Sequence, residues 1–313
     1  MIKFRYILTL LALGTSIVAS AQQEAGHAQN LMNALRINPA YAGYKDVGTI
    51  SLFHRSQWAG FKGAPSTQTL SFDMPLKKGK IAIGGALSND RIGPTNTLSL
   101  QADVAYRMKL NRFSHLSFGF KASASFYQLR YDDIELISDH YGQQDIMFDQ
   151  PNMSVLLPNV GFGAFYHDNK HFIGISMPHI LNQILQPRKE ALLSTLGRTE
   201  PTVHIMGGKL WKLNRKHKIQ PTIMARATMN APLSIGANLN FILFQNFKVG
   251  GYVYWNEAAG ALIQYEYERR WKFGYSIDVP TNRLILNTFG NHELMVSYAI
   301  KAKRKRIAYP RYF

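Results

Sequence analysis

The feature that most constrains this chain is an alternation of period two that recurs from its first third almost to its end. Leu98, Leu100, Ala102, Val104, Tyr106 and Met108 alternate with Ser99, Gln101, Asp103, Ala105, Arg107 and Lys109, so a strand built here has one apolar and one polar face. Leu116, Phe118, Phe120, Ala122, Ala124 and Phe126 repeat the pattern against Ser117, Gly119, Lys121, Ser123 and Ser125. Later, Ile263, Tyr265 and Tyr267 face away from Gln264, Glu266 and Glu268, and Trp271, Phe273, Tyr275 and Ile277 from Lys272, Gly274, Ser276 and Asp278. A water-soluble sandwich alternates too, with its apolar face inward. Length separates the two solutions. Strands of soluble proteins usually run about five or six residues, whereas several here run ten or more, the length that crosses a bilayer at a tilt. Aromatic residues gather near the ends of the apolar faces, as an interfacial girdle requires. No segment after the first 21 residues supplies a transmembrane helix, so a membrane reading demands a closed barrel with no backbone group left unpaired in lipid.

The fold class read from this pattern is all-β: a transmembrane, outer-membrane β-barrel of about fourteen antiparallel strands in a single domain. The strands are placed at 48–55, 67–75, 80–88, 97–110, 114–127, 158–168, 171–178, 201–213, 217–229, 232–243, 246–256, 259–269, 270–279 and 293–302. Even-numbered connections are tight. Odd-numbered ones include all the long segments: Arg55 to Ser66, Asn89 to Asn96, Arg130 to Leu157, Pro178 to Glu200 and Pro280 to His292. With both termini in the periplasm, the tight turns lie on that side and the long loops outside. Lys77, Lys78, Arg112, Lys170, Arg215, Lys216, Arg269 and Arg270 fall in the tight turns, and the tail adds Arg304 and Arg306, which gives a basic periplasmic rim. Two readings of it stand side by side: attraction to acidic lipid headgroups, and electrostatic docking of a periplasmic partner.

The ends of the chain are read in the same way. Lys3 and Arg5, an apolar run from Ile7 to Leu13, and Ser20 between Ala19 and Ala21 have the layout of a secretory signal peptide. Residues 1–21 are therefore expected to be a cleaved signal, 22–47 a periplasmic N-terminal segment, 48–302 the barrel and 303–313 a basic tail. There is no cysteine, hence neither a disulfide framework nor a lipidated cysteine. The formal charge of +17 falls to +15 without Lys3 and Arg5. On an exported chain that charge points to acidic lipid or an acidic protein and not to nucleic acid.

No catalytic constellation stands out, and neither a cofactor nor a metal is expected. Ser138, Asp139 and His140 are adjacent, whereas a triad converges from separate segments. His167 and His171 have helical metal-ligand spacing, yet Asp168 and Asn169 between them read as a hairpin turn. Gly161, Gly163, Gly250 and Gly251 read as strand glycines that let the wall curve, and Glu266 with a basic residue on a neighbouring strand as a structural lumen pair. Between Pro178 and Glu200, Leu181, Ile184, Leu185, Leu192, Leu193 and Leu196 are spaced for one or two short amphipathic helices broken at Pro187, forming a plug or an outer platform. A bare loop is the alternative.

The segment "RINPAYAGY" before the first strand is neither helix nor strand, and Asn38-Pro39 breaks any helix begun at "AQNLMNALR". "INPAYAGY" followed by "SLFHRSQWAGFKGAPSTQTLSFDMPL" resembles the N-terminal signature of the PorP/SprF family of the type IX secretion system. The resemblance runs on through "GGALSNDRIGPTNTLSLQADVAYRMKL" and "LSFGFKASASFYQL" to the terminal "PRYF". Its carriers are Asn38, Pro39, Ala40, Tyr41, Ala42 and Gly43, then Gln57, Trp58, Gly60, Phe61, Gly63, Ala64 and Pro65. Such membership implies a non-enzymatic outer-membrane barrel of the secretion and gliding machinery. Its implied partners are outer-membrane lipid, components of a periplasmic ring and an exported cargo with a C-terminal sorting domain, such as an adhesin. Asn38, Pro39, Tyr41, Gly43, Gln57, Trp58, Gly60 and Phe61 are the candidate contacts with a partner; Tyr41 and Tyr44 belong either at the membrane interface or in a lumen plug. A passive or substrate-gated pore is the competing function, and a barrel protease or lipase lacks the converging groups it would need.

Overall fold

A computed structural model describes residues 33–76, 79–130, 152–181, 183–185, 197–229, 231–281 and 288–300. Fourteen antiparallel strands close into a barrel. The first seven are β1 (Gly48–Ser56), β2 (Ser66–Pro75), β3 (Ile81–Ile92), β4 (Thr95–Lys109), β5 (His115–Leu129), β6 (Met153–His167) and β7 (His171–Met177). They continue with β8 (Thr202–Lys209), β9 (Lys218–Thr228), β10 (Ser234–Leu243), β11 (Phe247–Tyr254), β12 (Ala258–Tyr267), β13 (Trp271–Pro280) and β14 (Asn291–Ile300). Each strand pairs with its sequence neighbours, and β1 pairs with β14 from Gly48↔Ile300 to Ser56↔His292, which removes the last free edge. Trp211–Lys212 prolong β8 beside the start of β9.

Burial is inverted relative to a soluble sandwich. Leu100 is 61% exposed and Val104 and Phe118 are also exposed, whereas Asp103, Arg107, Lys121, Gln220, Asn240 and Glu293 are buried. Apolar side chains outside and polar ones inside is the arrangement of a strand wall between lipid and lumen. The band has measurable limits. Leu98, Phe126 and Leu156 form one outward row across β4, β5 and β6, and the next row toward the long loops is Asn96, Gln128 and Ser154. Toward the tight turns the band ends at Met108 and Leu116. Ten positions at a rise of roughly 3.3 Å and a tilt of about 40° give a height of about 25 Å, that of an outer-membrane hydrocarbon layer. No helix among the described residues is long and apolar enough to cross a membrane.

The rim of tight turns is as expected, and in the Asp168 turn the carboxylate accepts the N–H groups of Lys170 and His171 at 2.6 and 2.7 Å. Partial burial pushes that carboxyl up, but these two donors together with the His171 ring outweigh it and hold the group below the usual carboxylate range. Three expectations on the opposite rim are corrected. Asn89 to Asn96 is no loop: β3 and β4 stay paired to Ile92↔Thr95, and only Gly93 and Pro94 turn. These polar residues stand above the lipid, where both faces meet water and alternation no longer marks a strand. β6 begins at Met153, so Pro158 lies within it; β7 pairs with β6 only as far as Phe162↔Met177, so no β7 partner needs the N–H that proline lacks. Residues 183–185 and 197–199 form a two-stranded ladder where a helix through Ile184 and Leu185 was expected. The remainder of that segment, including Pro187, Leu192, Leu193 and Leu196, lies outside the described residues. β14 ends at Ile300.

The depth of the band makes a prediction. Val104→Arg, outward and near the middle of β4, is expected to cost about 2–4 kcal/mol of folding stability, and Leu98→Arg at the band edge about 0–1 kcal/mol. Reversible folding into phospholipid vesicles under denaturant measures both; equal losses would contradict the placement of the band.

Candidate functional site

The lumen along β2 to β9 is filled by the chain's own N-terminal segment. A single helical turn, α1 (Ala34–Ile37), ends at Asn38, where the following proline disfavours helical backbone, and Pro39–Tyr41 continue as a 3-10 turn. Ala34, Leu35, Ile37, Ala40, Tyr41, Ala42 and Tyr44 are buried in one apolar cluster with Ala82, Ala105, Phe165, Phe172 and Met206 of the wall. This is an apolar core inside a polar lumen. The rings are packed edge to face: Tyr41 and Tyr44 each lie 5.5 Å from Phe165, and Tyr44 stands 4.6 Å from the His167 ring, which in turn stacks on His115.

Asn38 anchors the turn. Its side-chain Oδ1 accepts the Ala40 N–H at 2.9 Å, and its Nδ2 donates to the carbonyls of Ala164 at 3.1 Å and Ile175 at 3.5 Å on adjoining strands. Wall glycines make this approach possible. A Cβ on Gly119 would overlap Ala40, and one on Gly163 would overlap the Asn38 side chain; Gly84 and Gly174 likewise face Leu35 and Asn38. Gly163 is therefore a docking position for the plug, a role that curvature alone does not describe. Gly161 instead makes room for Pro178, and Gly250 for Asn240.

Charged wall residues hold the plug backbone. Lys121 donates to the carbonyls of Leu35 and Arg36, and sits 4.0 Å from Asp103. Arg107 donates to Gly43 O and to Asp46 Oδ1, both at 2.8 Å; Asp73 accepts the Gly43 N–H at 3.1 Å; Ser176 donates to Ile37 O at 2.7 Å. Gly43 has φ +67° and presses on Ala82, so both its conformation and its space demand glycine.

The second half of the signature lies at the opposite rim. Gln57 to Pro65 form a strap closed by Gln57 N–H to Pro65 O at 2.9 Å, and tied to the β13–β14 loop by Ala59 N–H to Gly290 O at 2.9 Å and Phe289 N–H to Ala59 O at 3.0 Å. Gly60, at φ +101°, would bring a Cβ to 2.9 Å from the Phe289 ring. Trp58 N–H donates to Asn291, and Asn291 to Asp278. Asp278 and Glu293 both accept from Arg55 at 3.2 Å, and Tyr252 donates to Asp278 at 3.0 Å, so the strap ends on a buried charge cluster. Phe61 is exposed.

The structure thus brings Asn38, Pro39, Tyr41 and Gly43 together in the plug, and Gln57, Trp58, Gly60 and Phe61 together in the strap, but separates the two groups by the height of β1. The plug residues are buried against the wall, where no second protein reaches them in this conformation. Arg112, Arg215, Lys216, Arg269 and Arg270 all lie in tight turns on one rim; Lys77, Lys78, Arg304 and Arg306 lie outside the described residues, as do Ser138, Asp139 and His140. His167 points inward and His171 outward, so they do not converge, and no group of three metal-ligating side chains occurs among the described residues. Glu266 pairs with Lys272 at 3.6 Å. Sequence reasoning missed Lys121, Arg107, Asp73 and the wall glycines as plug contacts. Their only trace is polar or absent side chains on the lumen-facing parity.

The molecule is a plugged transmembrane β-barrel of the outer-membrane type. The model of the type IX secretion system membrane protein PorP/SprF matches residues 19–298, and the chain belongs to that family. No curated protein matches the chain. Among solved structures, the translocator domain of the autotransporter NalP from Neisseria meningitidis is similar at 13% identity, covering 88% of this chain and 96% of that one, with a TM-score of 0.48. A Pseudomonas aeruginosa FadL homologue is similar at 10% identity over 83% and 92%, TM-score 0.46, and the Acinetobacter baumannii outer membrane protein Omp33 at 9% over 81% and 98%, TM-score 0.45. Barrel closure itself rests on the continuous strand pairing from β1 round to β14.

Asn38→Ala removes two bonds to the wall and is expected to weaken plug docking by about 1–3 kcal/mol, and Gly163→Leu to displace the plug. Both should speed proteolysis near Asn38 while leaving the heat-modifiable electrophoretic mobility of the barrel unchanged. Cleavage as slow as in the parent chain would contradict the docking role.

Proposed function

We propose that the protein is a non-enzymatic outer-membrane component of the type IX secretion machinery, needed for export or surface retention of large cargo with a C-terminal sorting domain. Residues 1–21 are a cleaved signal, the tight turns face the periplasm and the long loops face outside. The observation that carries the reading is the plug. A family secretion barrel whose own signature fills its lumen along β2 to β9 is suited to present rims to partners rather than to conduct freely. The basic turns, Arg112, Arg215, Lys216, Arg269 and Arg270, favour an acidic surface of the periplasmic ring on that side, and the strap with Phe61 offers an outer contact. The substrate-gated pore is a second reading because Gln220, Asn240, Gln264 and Ser276 face in on the wall from β9 to β13, where they are buried beside the Tyr252–Leu262 cluster and a path would need opening.

Deletion of the gene in its native host tests the first reading: sorting-domain cargo should vanish from the surface and medium, and undiminished export of every such cargo would refute it. Planar-bilayer recording separates the second. Low conductance is expected for the parent barrel, rising in the Gly163→Leu variant; a wide, steady conductance in the parent would favour the pore.

A further inference from the structure

We propose that the lipid-facing surface of β7, β8 and β9 near the tight-turn rim is a binding site for one anionic phospholipid, with an acyl chain in a trough floored by Gly207 and the phosphate at Lys209 and Lys170. The outward column of β8 reads Ile205, Gly207, Lys209, Trp211 from mid-band to rim. Ile173, Gly207 and Ile223 are cross-strand neighbours in one row. Ile173 and Ile223 are 59% and 63% exposed, while a Cβ at Gly207 would meet nothing closer than 3.7 Å. The row therefore has two tall walls and an empty floor, with the width of a single chain.

One step toward the rim, Lys209 pairs with His171, and its ammonium lies 5.5 Å from the centroid of the Trp211 ring, itself 49% exposed. A cation over an exposed indole at the edge of the apolar band is placed where a headgroup phosphate sits. The Leu210 N–H donates to Lys170 O at 2.6 Å, which brings the exposed turn lysine alongside, and Asp168 fixes the neighbouring His171 ring through Nδ1 at 3.2 Å. The barrel provides its own comparison. Gly251 is a second outward glycine, flanked by Leu239 and Ala261, but the outward residues below it are Phe247 and Tyr265. That trough has no cation at its foot, so it gives no reason to prefer a charged headgroup.

The site rests on the tight turns facing the phospholipid leaflet. It is read on the isolated barrel, so its failure and failure of the secretion role are separate results. Native mass spectrometry of the full-length protein with an equimolar mixture of phosphatidylglycerol and phosphatidylcholine tests it. One retained phosphatidylglycerol is expected, with a preference of roughly fivefold for each of the two lysines. Lys209→Gln and Lys170→Gln should each lower that preference by about fivefold; Gly207→Val should lower retention of both lipids, and Gly251→Val should leave the preference unchanged. Free glycerol phosphate in excess should not displace the bound lipid; displacement would make the site one for phosphate alone and overturn the trough. Equal retention of the two lipids, or an unchanged preference in Lys209→Gln, overturns the proposal. Heat-modifiable mobility reports folding, and if Gly207→Val does not fold, the two lysine variants decide.

Discussion

Hydrocarbon offers no partner to a peptide N–H or carbonyl, and every other feature of this molecule follows from meeting that constraint. Fourteen strands satisfy it only as a closed ring, so β1 must find β14 across the whole chain. Closure then creates a second problem. A ring of this size encloses more space than its wall side chains fill, and it is the N-terminal segment that occupies the part against β2 to β9. The chain solves this with an apolar miniature core, in which Tyr41, Tyr44, Phe165 and Phe172 do inside a polar lumen what a soluble protein's centre does.

The plug is held by two kinds of contact with different reach. Ring packing and the close approach over Gly119 and Gly163 give it a shape that fits one place on the wall. The bonds from Lys121, Arg107 and Asp73 go to backbone groups of the plug, where they satisfy donors and acceptors that have no helix or strand to serve them. Lys121 and Asp103 are a buried pair, and either alone would be an uncompensated charge in the barrel. The polar lumen is thus selected for what it holds as well as for facing water.

The strand count and the inverted alternation were legible in the sequence because lipid imposes them residue by residue: Leu100 out and Gln101 in is a local fact. Legibility failed where that pressure stops. Asn89 to Ile92 are strand, but above the band both faces are wet, so nothing in their composition separates them from a loop. Pro158 looks like a boundary until the short β7 is seen to leave its side of β6 without a strand partner. The plug site was half visible. Asn38-Pro39 announced a broken helix, but the glycines that receive it, Gly119 from β5 and Gly163 from β6, gain meaning only from the register that sets them side by side.

The register also shows how residues 36–65 serve the barrel's own architecture. Residues 36–65 are one continuous device: a plug, then β1, then a strap. β1 is the strand that closes the ring, its preceding residues fill the lumen against β2 to β9, and its following residues clip Ala59 onto Gly290 beside the entry to β14. Ser51 meets Ser297, and Arg55 meets Glu293, both across the closing seam. The polar contacts of residues 36–65 are internal: those of β1 and the strap lie on or next to that seam, whereas those of the plug lie on β2 and on β4 to β7. Asn38 and Gly43 dock the plug and Trp58 and Gly60 hold the strap, while Phe61 stays exposed on one rim and the basic turns lie on the other.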